Sequence, residues 1–293
     1  MYYRRKILLA LLQVFGGKLD KIDFQKYLFL ITRAQNKPSY DFVPFKFGCY
    51  SFIANADKKT MTLYNLLSKE EDWVKIDKVD YLTQIKQVDK NAILGVKEKF
   101  GKLKGNGLLK LVYTIYPYYA INSTILDKIV DVKVAELVKN LIPRQRNFVL
   151  FTIGYEGKSL EEYFNQLIKN NIKVLCDVRR NPVSMKYGFS KKTLKLICEK
   201  LGIIYMHYPE LGINATKRKN LKNKQDYENL FNDYAQNSLP SNKETIGLIF
   251  EAFLKYKRVA LTCFENEHLM CHRHKIIDEI KKIDGWKFKV THI

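Results

Sequence analysis

Long apolar runs, paired cysteines and a phosphate-binding loop are what this 293-residue chain lacks. No segment approaches the roughly 20 apolar residues that a membrane-spanning helix requires, so the sequence reads as a protein without membrane helices. The five cysteines, Cys49, Cys176, Cys198, Cys263 and Cys271, form no close pairs and leave an odd count. That argues against an extracellular disulfide framework and for a reducing, cytoplasmic setting. The opening MYYRRKILLALLQVFGG imitates a secretion signal, but it has no small-residue cleavage motif and contains Gln13, so it reads as an amphipathic helix. GKLKGNG is no phosphate loop, because it lacks the G-x-x-x-x-G-K-[ST] spacing and follows no clear strand.

What the chain has in excess is base. Lys and Arg number 51 against 30 Asp and Glu, a net charge of +21, large enough to attract polyanions at range. The excess is spread along the chain, with 26 basic and 14 acidic residues in 1–146 and 25 and 16 in 147–293. A nucleic-acid partner, DNA ahead of RNA, is expected from the charge and the organisation together. The competing account is a Lys-rich surface that merely keeps the protein soluble. Apolar residues at 46% and aromatics at 13% suffice for two domain cores.

Residues 1–146 read as a mostly helical, winged-helix-like domain. Helices are predicted over 4–15, ended by Gly16-Gly17, and over 21–35, followed after Pro38 by the aromatic YDFVPFKFGCYSF. A helix over 54–67 and an extended 73–76 complete an order that resembles a winged helix, in which one helix enters the DNA major groove. A protein-docking or dimerisation unit is the alternative. From 81 to 139 the pattern is helical, with GKLKGNG as a glycine-rich break before an aromatic helix that Pro117 ends. The polar Pro143–Asn147 stretch marks the boundary.

Residues 147–293 alternate strands (148–153, 173–178, 203–207, 258–263, 287–292) with helices (159–169, 190–201, 224–236, 242–256, 271–283). This predicts an α/β domain, a mainly parallel sheet with helices on both faces. The strand exits carry Tyr155, Asp177 with Arg179 and Arg180, Glu210, and Cys263 with Glu265, followed by Cys271, His272 and Arg273. In an open parallel sheet such exits face a common crevice.

The phrases TIGYEG, DVRRNP with the following GFSKKTL, YPELG, and LTCFENEHLMCHR resemble, in order and spacing over roughly 148–285, the family called domain of unknown function 488, whose members include the YeaO-like proteins. FQKYLFL, FVPFKFG and LVYTIYPYYAINS are similar to segments of an amino-terminal module found in that family. The resemblance implies an α/β domain and a prokaryotic cytoplasmic setting, and it implies no particular reaction.

The residue types point to an anionic ligand. Arg179, Arg180 and Arg273 offer planar, multidentate donors, and a helix starting near Cys271 adds N–H groups. Asp177 and Glu265 are candidate bases and His272 a candidate acid, with Tyr155, Glu210, Cys263 and Cys271 lining the crevice. Struts between loops are the bland alternative for Asp177 and Arg179. Cys271 is weighed as a nucleophile, although the cradle of a Cys-x5-Arg loop is missing. Cys263, Cys271, His272 and His274 have metal-ligating atoms, but with no second pair at zinc-finger spacing no metal is expected. Lys217, Arg218 and Lys219, in the acid-free run NATKRKNLKNK, are expected on a nucleic-acid backbone.

The reading that follows is a nucleic-acid-associated protein, a hydrolytic enzyme acting on nucleic acid or a nucleotide-like anionic group. A ligand-responsive winged-helix regulator with a non-catalytic α/β sensor is the alternative. Neither cofactor nor oligomeric state is legible.

Overall fold

The computed structural model describes residues 1–218, 221 and 223–293. The chain divides into two compact units, Met1–Ile142 and Pro143–Ile293. No described helix is long and apolar enough to cross a membrane, and all five cysteines are free and buried.

Unit 1 runs α1 (Tyr3–Val14), β1 (Lys18–Leu19), α2 (Lys21–Ala34), β2 (Val43–Phe45), β3 (Gly48–Tyr50), α3 (Phe52–Leu63), β4 (Trp73–Val74), α4 (Gln87–Phe100), α5 (Gly105–Ile115), α6 (Leu126–Ile129) and α7 (Val132–Asn140). The expected amphipathic first helix is instead a core helix. Residues 7–12 are all buried, because six successive apolar residues fill the whole circumference of the turn rather than one stripe. Asp20 caps α2 by accepting from the amides of Ile22 and Asp23. The glycine-rich break also differs from expectation. Gly105 and Gly107 lie inside the first turn of α5, whose first amide donates to Asp23 Oδ1 at 2.9 Å. The aromatic segment folds as the β2–β3 hairpin, which needs a glycine at position 48. Its φ is +86°, and a Cβ there would lie 2.6 Å from the Tyr113 ring.

A buried carboxylate ties the start of α1 to α3. Asp57 accepts from Arg4, from Arg5 Nε at 2.7 Å and from the Tyr40 hydroxyl at 2.9 Å. Burial pushes the Asp57 carboxyl up, but these donors outweigh it and hold it below its usual range. A depressed carboxyl stabilises the fold above its ordinary titration range and loses that contribution as pH falls through the lowered value. Asp57→Asn should therefore destabilise unit 1 by about 3 kcal/mol, the low end for breaking a buried pair because Arg4 keeps solvent contact. Hydrogen exchange in peptides covering 3–14 and 52–63 should accelerate at pH 7, with the gap to wild type closing on acidification. Unchanged exchange at pH 7 would show that the pair contributes nothing.

Unit 2 contains β5 (Val149–Gly154), α8 (Leu160–Lys169), β6 (Val174–Asp177), α9 (Lys191–Lys200), β7 (Ile204–His207), α10 (Lys224–Asp233), α11 (Lys243–Tyr256), β8 (Arg258–Cys263), α12 (Arg273–Lys281) and β9 (Lys289–His292). The five strands form one sheet of order β7-β6-β8-β5-β9, parallel throughout. Central strands β5, β6 and β8 are buried along their length, which is why they read as continuous apolar runs rather than alternating ones. Alternation decides what covers each face. Leu150, Val174, Cys176, Val259 and Leu261 share one apolar cluster with residues of α10, α11 and α12. Thr262 points the other way and accepts the Tyr163 hydroxyl of α8 at 2.8 Å. The register pairs Gly154 with Cys263 and Asp177 with Thr262, so the β5, β6 and β8 exits reach the same edge at the same level.

Candidate functional site

The three exits open onto a cleft of about 500 Å³ lined by Tyr155, Arg179, Arg180, Phe264, Arg218, Cys263 and His272, among others. Two layers are distinct. The wall is a buried clamp built on Arg179, which donates to Asp177 through Nε at 2.8 Å and Nη2 at 2.6 Å, to the Tyr155 hydroxyl at 3.0 Å and to the Phe189 carbonyl at 2.8 Å. The Tyr205 hydroxyl donates to Asp177 as well. Burial works against the Arg179 cation, but the Asp177 carboxylate more than offsets it and raises its pKa. Asp177 thus positions Arg179, and both its oxygens are occupied. Tyr155 stacks on Phe189 with centroids 4.2 Å apart.

The floor is a cluster from β8 and the start of α12. His272 Nε2 faces the Val178 carbonyl at 3.0 Å and Nδ1 faces Arg218 Nη2 at 3.0 Å. A carbonyl only accepts and a guanidinium only donates, so the proton sits on Nε2 and Nδ1 presents its lone pair. Cys263 Sγ and Cys271 Sγ lie 3.9 and 3.7 Å from that same Nδ1. Arg218 also pairs with Glu265. Burial pushes the Glu265 carboxyl up, but Arg218 and the Cys271 and Cys263 thiols hold it at about 2. Burial raises the Cys263 thiol well above its ordinary value.

The segment carrying Glu265 is fixed by backbone contacts. Tyr155 and Glu156 amides both donate to the Phe264 carbonyl, at 3.1 and 2.9 Å, and Arg273 Nη2 donates to the Glu265 carbonyl at 2.6 Å. Gly154 is required here, since a Cβ would overlap the Glu265 carbonyl group. Gly212 plays the same part against the Arg180 backbone.

The structure therefore brings Tyr155, Arg179, Arg180, Cys263 and His272 to one cleft, with Cys271 and Glu265 beside its floor. It does not bring Arg273 there. That side chain is fully buried, and Nε and Nη1 have no hydrogen-bond partner among the described residues. Glu210 accepts from Thr245 and lines a neighbouring depression with Arg180. Arg218, expected on a nucleic-acid backbone, is turned inward because Glu265 and His272 take its donors. Lys217 is exposed and pairs with Asp233 at 2.8 Å, and Lys219 lies outside the described residues. The helix starts at Arg273, two residues after Cys271. The sequence reading missed Gly154, Gly212, Arg218 as a cluster member, and Phe264, which stands 45% exposed at the mouth. GYE after a strand and LG after Glu210 were the available signals for the two glycines.

Residues 159–280 match the family model described as domain of unknown function DUF488. No curated protein and no solved structure matches the chain.

Asp177→Asn should leave the buried Arg179 cation without its counter-charge and cost about 3 kcal/mol or more of stability. A lowered urea midpoint checks this. An unchanged midpoint would show that the Asp177–Arg179 pair contributes nothing to stability.

Proposed function

We propose that unit 2 is a hydrolytic enzyme that acts on nucleic acid or a nucleotide-like anionic group. The observation that carries this reading is the layering of the cleft, a floor of buried imidazole and thiols with a partly buried carboxylate, beneath a basic and apolar mouth. The cleft volume lies in the range of small-ligand sites. Exposed Arg180 supplies charge for phosphate. Exposed Phe264, Val183 and Met185 give an unstacked base an apolar surface. Enzymes that act on a base take it out of the stack, at a cost of a few kcal/mol that such contacts offset. In this reading Arg180 holds the anion, Arg179, Asp177 and Arg273 position the walls, and Glu265 with His272 handles water and protons.

A second reading, the ligand-responsive regulator, is favoured by unit 1. β1 pairs antiparallel with β4, and Leu67 bridges Lys75 across the turn 69–72. Three helices and such a ribbon are the parts of a winged helix.

Mass spectrometry of single- and double-stranded DNA and RNA after incubation with wild type and Glu265→Gln, with and without divalent metal, separates the two. A product formed by wild type alone supports the enzyme, and its mass names the bond. No product, with salt-dependent binding by both proteins, supports the regulator. If Arg180 contacts phosphate, Arg180→Ala should reduce the slope of log affinity against log salt by about 0.9. An unchanged slope removes Arg180 from the interface.

A further inference from the structure

We propose that Cys263, Cys271 and His272 form a zinc-type metal site at the floor of the cleft. The site stands on the cluster geometry; its role in activating water rests on the hydrolytic reading above. The donor atoms of the three residues lie within 4.8 Å of one another, and all three residues are buried. Tetrahedral coordination with bonds of about 2.3 Å to sulfur and about 2.0 Å to nitrogen puts S and N about 3.5 Å apart. The observed separations from Nδ1 are 3.9 and 3.7 Å, so small movements bring all three onto one ion. The imidazole is already set for this. Its Nε2 proton is held by the Val178 carbonyl, the outer contact that metal-bound histidines characteristically make. Two thiolates and an imidazole select zinc and similar ions over magnesium or calcium.

Three protein ligands leave a fourth position, as in catalytic zinc sites. Because Cys263 and His272 line the cleft, that position opens to it and is the place for a water whose ionisation the metal promotes. Glu265 belongs to the same cluster, its carboxylate held by Arg218 and by the two thiols that metal binding would deprotonate. Metal uptake releases the two thiol protons. Arg218 is the group in competition, since its Nη2 covers the Nδ1 lone pair. A Cys263–Cys271 disulfide is the other chemistry two close thiols allow, but it gives no part to an imidazole aimed at both sulfurs.

The test uses the full chain, purified without a polyhistidine tag, reduced and chelator-stripped, and titrated anaerobically with cobalt(II) in the absence of nucleic acid. The expected result is one equivalent bound, with a thiolate-to-cobalt charge-transfer band in the near ultraviolet and the strong visible bands of tetrahedral cobalt, both lost on adding zinc. Cys263→Ser and Cys271→Ser should each weaken the charge-transfer band, and His272→Ala should shift the visible bands. Should those variants fail to fold, Arg218→Met retains all three ligands. It should bind cobalt about tenfold tighter, having lost one charge-assisted hydrogen bond to Nδ1. No cobalt spectrum in reduced wild type, or an identical spectrum in the doubly substituted cysteine variant, overturns the proposal. So does a Cys263–Cys271 disulfide whose reduced form takes up no cobalt. None of these outcomes depends on turnover, so the metal site and the hydrolytic reading fail separately.

Discussion

Arg179 is a cation taken almost wholly out of water, which a fold can tolerate only by giving its donors acceptors and its charge a partner. The acceptors come from three places: Asp177 at the end of β6, the Tyr155 hydroxyl after β5, and the Phe189 carbonyl just before α9. Satisfying one guanidinium thus fixes the relative positions of two strand exits and a helix start. The consequence reaches the floor of the cleft. Val178 lies between Asp177 and Arg179, so the clamp sets the direction of its carbonyl. That carbonyl sets the tautomer of His272, and the tautomer determines that Nδ1 is the lone pair facing Arg218 and the two sulfurs.

The strand and helix order of unit 2 was legible because its sheet is parallel and buried, which leaves apolar runs separated by helical periodicity. From that order the shared edge followed, and with it the cleft. What could not be read was the direction in which each charged side chain turns. Asp177 and Glu265 look alike as carboxylates at strand exits, yet one is locked to a neighbour two residues away and the other is held by Arg218, 47 positions distant in the chain. Arg218 sits in a run of bases that reads as a solvated face, and nothing local marks it as the one turned inward. In unit 1 the helices were legible, but the first was misjudged as amphipathic. A run of six apolar residues carries no period, so burial on all sides can be seen only in the fold.

The proposed metal site does not use zinc-finger spacing. Zinc-finger spacing reflects ligands carried by two separate local turns. In the proposed site Cys263 closes β8 and Cys271 and His272 lie just before α12, while Gly154 and Arg273 make the contacts to Glu265 in the intervening segment. The backbone approach at Gly154 brings the segment in, and the buried Arg273 guanidinium keeps the Glu265 carbonyl in place.

Charge constrains the functional reading more tightly than the net value of +21 does. In unit 1 the turn beside β4 carries Glu70, Glu71 and Asp72, and these pair with Lys18 and Lys21. With its acids paired to these lysines and Lys69 beside them, the turn carries little excess charge of either sign. The cleft of unit 2 differs. Glu265 is neutralised by Arg218 and Asp177 by Arg179, and among the described residues lining the mouth the exposed charge is that of Arg180. An anion approaching this mouth meets a cation first and reaches the carboxylates only after they have been paired, and for that reason the buried floor and the basic rim are compatible within one site.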